Sequence, residues 1–180
     1  GVLGRKAKLY IADAGVPPAE AAKSAMRLLL SEKVDLIVGN HDSAVRQAIV
    51  GAVKGRIPYV YSPVYEGGEC SSNVFMLGET PQQQLKPTIS HFAETKNVKS
   101  YYLIGNDYVW PRVTNKLAKD YIAASGGKVV GEQYIPFGPA NKFESAVTQI
   151  KSANPDHVVI TLVGGDLSLI HISEPTRRYA

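Results

Sequence analysis

The chain has 180 residues, 44% of them hydrophobic and 20% charged, enough for one medium domain or two small lobes. No uninterrupted apolar run approaches the roughly 18 residues of a helical membrane span. Twenty Lys and Arg against sixteen Asp and Glu leave +4, but the basic residues are scattered and form no nucleic-acid stripe.

The single cysteine, Cys70, excludes an internal disulfide and a cysteine-based zinc site. The chain opens at Gly1 without a basic-then-apolar leader, so a removed leader or a cut end is expected.

Short β-rich runs alternate with helical patterns. Lys8–Asp13 reads as a strand, followed by a helix from Pro17 to Glu32 with its prolines in the first turn. Val34–Val38 reads as the next strand, ending at Gly39. A helix from Ser43 to Lys54 follows, with Asp42 or Ser43 as its cap and Val45, Ala48, Ile49, Ala52 and Val53 on one face. Ile57–Tyr61 is another strand.

Ser62–Asn73 breaks the rhythm with Pro63, Gly67, Gly68 and three serines, a long loop of the kind that usually carries function. Beyond it, Val74–Leu77 reads as a strand, and Thr80 caps a helix with Pro81 at its first position. Ser100–Ile104 (strand), Tyr108–Ser125 (helix), Val129–Tyr134 (strand), Phe143–Ala153 (helix) and His157–Leu162 (strand) complete the pattern. Such alternation builds parallel sheet covered by helices. The expected organisation is two α/β lobes, residues 1–78 and 79–166.

Residues 167–180 show no helical period and carry Pro175. The run from Ser168 to Arg177 resembles translated sequencing-adapter read-through, so the tail is expected to be non-native.

In open α/β sheets ligands bind beyond the carboxyl ends of strands, near helix N-termini. That rule selects four loops: Gly39–Ser43, Tyr61–Glu66, Gly105–Trp110 and Gly164–Asp166. His41, Asp42 and Ser43 hold the residue types of a hydrolase triad. Three consecutive residues cannot converge as base, orienter and nucleophile, and no Gly-x-Ser-x-Gly elbow occurs. Phosphate-binding glycine motifs are also missing, and the four histidines lack metal-ligand spacing, so neither cofactor nor metal is expected. Glu66 and Asp107 are candidate acceptors for a ligand N–H, or simply solvated charge or a helix cap.

These loops, in this order, resemble the amide- and urea-binding branch of the type I periplasmic binding proteins, relatives of the leucine/isoleucine/valine-binding proteins. The resemblance rests on Gly1–Lys6, on Tyr65-Glu-Gly-Gly-Glu-Cys70 with Asn73-Val-Phe75, and on Gly105-Asn-Asp-Tyr-Val-Trp-Pro-Arg112 with Asn115. Gly126–Glu132 followed by Tyr134-Ile-Pro136 extends it, so that it covers residues 1–166.

It implies a two-lobed clamshell with flavodoxin-like parallel sheets, closing on a small neutral polar solute such as urea, a short amide or a related amino compound. It also implies delivery to an ABC permease in the inner membrane, in a periplasmic or lipid-anchored location and without enzymatic turnover. Carried across by position, the first lobe offers His41, Ser43, Tyr61, Pro63 and Tyr65. The second offers Tyr108, Trp110 and Asp166. Tyrosine and tryptophan rings suit a planar guest, and hydroxyls suit its donors and acceptors.

A cytoplasmic amide-sensing regulator of the same fold is the alternative, and a hydrolase using Ser43 or Asp107 is a third reading. Family members are longer and begin with a further strand and helix. The resemblance therefore implies a fragment with both lobes incomplete, lacking a central strand between Lys8–Asp13 and Val34–Val38.

Overall fold

The computed structural model describes residues 3–137 and 143–173. The backbone divides into two compact units, Gly1–Gly78 and Glu79–Ala180.

The first unit begins with α1 (Pro18–Leu30), whose first residue has no N–H to leave unpaired. Strand β1 (Ile37–Gly39) follows, then α2 (Ser43–Val53), β2 (Tyr59–Tyr61) and β3 (Val74–Met76). The strands form one parallel sheet in the order β1-β2-β3, with Ile37 opposite Tyr59 and Tyr59 opposite Val74. Ala21 and Ala25 of α1 and Val45, Ile49 and Val53 of α2 bury against Ile37, Tyr59 and Tyr61. This is a single core on one side of a three-stranded sheet.

Lys8–Asp13, expected as a strand, forms none, and Leu9 and Ile11 are 82% and 83% exposed. A strand exists by pairing its N–H and C=O groups with a neighbour. Among the described residues no strand pairs with the outer edge of β1.

The second unit comprises α3 (Pro81–Lys96), β4 (Ser100–Asn106), α4 (Val109–Ala124), β5 (Lys128–Ile135), α5 (Phe143–Ala153), β6 (His157–Thr161) and α6 (Gly164–Ser173). Gln83 closes the start of α3 by accepting from the Thr80 N–H and hydroxyl at 2.8 and 3.1 Å. The parallel order β5-β4-β6 places β4 in the middle. Its side chains alternate between two cores, as the two-residue period of a strand requires. Tyr101 and Leu103 join Ile89, Ala118 and Ile122, whereas Ile104 joins Phe143, Ala146, Val147 and Ile170.

Asp156 ties the starts of β4 and β6 together, accepting from the N–H groups of Lys99 and Ser100 at 2.9 and 2.8 Å. Helix α6 runs through Leu167–Ser173, where the sequence shows no amphipathic period. Burial of Ile170 against the second core accompanies it. Residues 174–180, including Pro175, lie outside the described residues, as do Gly1 and Val2.

Candidate functional site

The carboxyl end of the first sheet is organised by β1, α2 and the loop after β2. Gly39 ends β1 where nothing larger fits, because a Cβ there would meet the His41 ring and Tyr59 at 2.5 to 2.8 Å. The chain then turns into α2, whose N-cap Asp42 accepts from the Val45 N–H at 2.8 Å.

His41 is tied at both ring nitrogens: Nδ1 lies 3.0 Å from the Asp42 carbonyl and Nε2 lies 2.8 Å from the Tyr59 hydroxyl. A carbonyl only accepts, so Nδ1 donates and Nε2 receives the Tyr59 proton. Burial holds the imidazole below its ordinary pKa, consistent with a neutral ring. Burial likewise raises the phenols of Tyr59 and Tyr61. Tyr61 donates to the His41 carbonyl at 2.6 Å.

The centre of this cluster is a residue that the sequence reading did not single out. Arg46, one helical turn after Ser43, is 2% exposed. Its guanidinium donates to Glu66 at 2.6 Å and to the Ser43 hydroxyl at 3.4 Å, and lies 3.7 Å from Glu69. It also sits 5.3 and 5.4 Å from the ring centroids of Tyr61 and Tyr65. Glu66, at 6% exposure, is thus neither solvated loop charge nor a cap but half of a buried ion pair.

The two acidic residues of Tyr65-Glu-Gly-Gly-Glu-Cys70 hold the long loop onto α2. A glutamate on each side of a glycine pair, with an arginine one turn into the preceding helix, was the available signal. Ser43 is 2% exposed at the heart of the cluster, Tyr65 is half-buried at its edge, and the Pro63 backbone abuts Gly78. The arrangement assembles no triad, because Asp42 caps the helix and Ser43 is held by Arg46.

In the second unit the same end of the sheet carries a fully buried Asn106. It donates to Asp166 at 2.6 Å and accepts from the Val163 N–H at 2.8 Å, fixing the loop into α6. Gly105 leaves room there for Thr161 and Pro111, either of which a Cβ would strike.

Tyr108 and Trp110 lie 6.4 Å apart by ring centroid, and Tyr108 lies 5.4 Å from Phe137, an exposed ring beyond β5. Phe137 was missed because nothing in its own segment announces a site. Asp107 pairs with Arg112 at 2.7 Å, which holds its carboxyl below the usual range. Arg112 also stacks 4.3 Å over Tyr134. Both units' sheet ends therefore present aromatic rings beside polar networks, and in the first unit Arg46 Nε and Glu66 Oε2 are buried without a hydrogen-bond partner.

Residues 1–170 match the sequence model of a family described as periplasmic binding protein. The chain belongs to this family. Among solved structures, an ABC transporter solute-binding protein from R. palustris in complex with benzoate superimposes with a TM-score of 0.80 at 23% identity, covering 94% of this chain and 49% of that one. A periplasmic binding protein from Burkholderia mallei gives 0.74 at 21%, covering 87% and 43%. An ABC transporter substrate-binding protein from Sphaerobacter thermophilus gives 0.71 at 20%, covering 88% and 45%.

The chain thus spans less than half the length of each of these structures. At such identities the likeness shows the fold, that of the type I periplasmic binding proteins, with parallel α/β sheets. No helix among the described residues is long and apolar enough to cross a membrane.

Proposed function

We propose that this periplasmic binding protein is the solute-binding component of an ABC importer. In this reading it works on the periplasmic side and hands its cargo to an inner-membrane permease. Its cargo is a small neutral compound rich in N–H groups: urea, a short amide or a related amino compound.

The observation that carries the neutral reading is the charge balance of the first unit's cluster. Its buried cation, Arg46, already faces Glu66 and Glu69, so its charge is not spare for a carboxylate. A carboxylate brought beside this pair would be a third anion around one cation, and desolvating it would cost several kcal/mol, on the order of the penalty for any imperfectly paired buried ion. His41, held neutral, supplies no second positive charge.

Aromatic acids form the second reading. Solved relatives of the fold are described in complex with benzoate, 4-hydroxybenzoate and 3,4-dihydroxybenzoic acid. The Tyr108–Trp110–Phe137 rings would suit such a guest.

Titration calorimetry with urea, acetamide, formamide, branched amino acids, benzoate and 4-hydroxybenzoate separates the two. Saturable heat from urea or an amide is the expected result. Saturation by benzoate with silent amides moves the assignment to the second reading, and silence from every compound rejects solute binding of either class.

A further inference from the structure

The second unit carries a group of rings held in place by the backbone beneath them. The Asp107 N–H donates to the Ile135 carbonyl at 2.9 Å, and the Asn106 side chain donates to the same oxygen at 3.4 Å. Gly105 lets Pro111 approach where a Cβ would meet it at 2.7 Å, which seats the first turn of α4, and Trp110 with it, against the end of β4. The loop after β4 is thus tied to the last residue of β5, and Phe137 follows two residues later. Its ring centroid lies 5.4 Å from that of Tyr108 at an interplanar angle of 38°, a tilted contact that still leaves Phe137 55% exposed. An apolar ring fixed in position and left in water gains free energy from any guest that covers it.

Charge around these rings is already matched. Arg112, one turn along α4 from Tyr108, pairs with Asp107 at 2.7 Å and lies 4.3 Å over the Tyr134 ring. Tyr134 in turn donates to Glu132 at 2.7 Å, and Glu132 pairs with Lys119. The cation nearest Tyr108 along the chain is therefore engaged, and a carboxylate brought to the rings would compete with Asp107 for it.

We infer that Phe137 is a solute-contact and specificity residue: with Tyr108 and Trp110 it forms a platform for a flat aromatic group, so that the preferred solute is a neutral aryl carboxamide. Aromatic faces and edges match one another in offset or edge-on contact, whereas a methyl or amino substituent covers little of either.

This inference rests on the proposed amide-binding role and narrows its solute class, and probes that differ by one feature separate the two. Calorimetry on the full chain compares benzamide with acetamide, which differ in the ring, and benzamide with benzoate, which differ in charge. Benzamide is expected to bind at least about tenfold tighter than acetamide, the scale of one well-placed aromatic contact, and benzoate more weakly than benzamide. Phe137→Ala is expected to bring the benzamide-to-acetamide ratio within about threefold with acetamide unchanged, and Phe137→Tyr, which keeps the ring, to retain it. Phe137 is exposed, so the dichroism of both variants is expected to match the native chain. Emission from Trp110, the only tryptophan, is expected to shift with benzamide and not with acetamide.

A ratio that survives Phe137→Ala overturns the inference. Equal binding of benzamide and acetamide to the native chain overturns it too, while leaving the amide-binding role intact. Benzoate binding as tightly as benzamide overturns the neutral class. Silence from all three probes also overturns it, and a urea titration then decides whether the role itself stands.

Discussion

The two units solve the same problem, a parallel sheet packed against helices, with unequal resources. In the second, β4 has a neighbour on each edge and a core on each face, and Tyr101 through Asn106 are all buried. In the first, β1 is paired along one edge only among the described residues, its strands are three residues long, and Val38 is 66% exposed. The second unit is held by apolar side chains on a central strand. The first depends more on a polar knot, Arg46 with Glu66 and Glu69, that pins its long loop to α2. With strands this short, the first unit draws more of its specificity from side-chain contacts than from the ladder.

Cutting the knot is the sharpest way to break that contrast. Arg46→Met leaves Glu66 buried and unpaired, and the expected loss is about 3–5 kcal/mol. Trp110 is the chain's only tryptophan and lies in the second unit, so its fluorescence reports that unit while far-UV circular dichroism reports both. In guanidinium denaturation the dichroism is expected to gain an early transition while the fluorescence midpoint stays put. A matched shift in both signals would show that the units unfold as one and that the contrast is not energetic.

The next test exchanges the two sheets' strands. Leu103 is fully buried in β4, and Leu103→Ala is expected to cost about 2–5 kcal/mol. Val38 occupies the middle of β1 yet stands in solvent, and Val38→Ala is expected to change stability by less than about 0.5 kcal/mol. Denaturation midpoints of the two variants check this. A cost at Val38 equal to that at Leu103 would mean that the exposed face of β1 is covered in solution.

Histidines give a smaller, pH-dependent difference. Burial lowers His41 in the first unit and His157 in the second. Each folded form binds fewer protons than the unfolded chain below the ordinary value of 6.5. Stability is therefore expected to fall as pH drops from 7 toward 5 and to recover as it rises. His41→Gln should flatten the early dichroism transition against pH, and His157→Gln the fluorescence transition. Slopes that survive both substitutions would assign the effect elsewhere.

How much of this was legible depended on whether a signal was local. Phe143–Ala153 coincides with α5 to the residue, because its apolar spacing lies within one helix. The order of strands and helices was legible for the same reason. Lys8–Asp13 was not, because its residues favour a strand but only a neighbouring strand could make one.

At the candidate site, the rule of strand ends selected the loops and the resemblance named His41, Ser43, Tyr61 and Tyr65 as expected contacts; the structure sets Ser43, Tyr61 and Tyr65 around one guanidinium. That guanidinium was invisible as such: Arg46 reads as an ordinary polar position of α2 until Glu66, twenty residues on, is folded against it. Phe137 was hidden similarly, since its partner Tyr108 lies on the loop after another strand.

The smallest expected effect tests the tie at the base of the second sheet. Asp156 accepts from two backbone N–H groups and from the Ser100 hydroxyl at 2.8 Å, and these bonds hold its carboxyl below the ordinary value of 3.8. A carboxylate lowered by folding contributes stability above its unfolded pKa and loses it as pH falls through the folded one. The fluorescence-detected transition is therefore expected to weaken on acidification below about pH 4, the unfolded carboxylate range. Asp156→Asn should remove that acid limb while sparing the dichroism transition of the first unit. The donors are neutral groups rather than cations, with Lys128 the weakest influence, so added salt should leave the limb nearly unchanged. An acid limb abolished by salt would instead assign the lowered carboxyl to surface charge, and the two sheets would then differ in their strands alone.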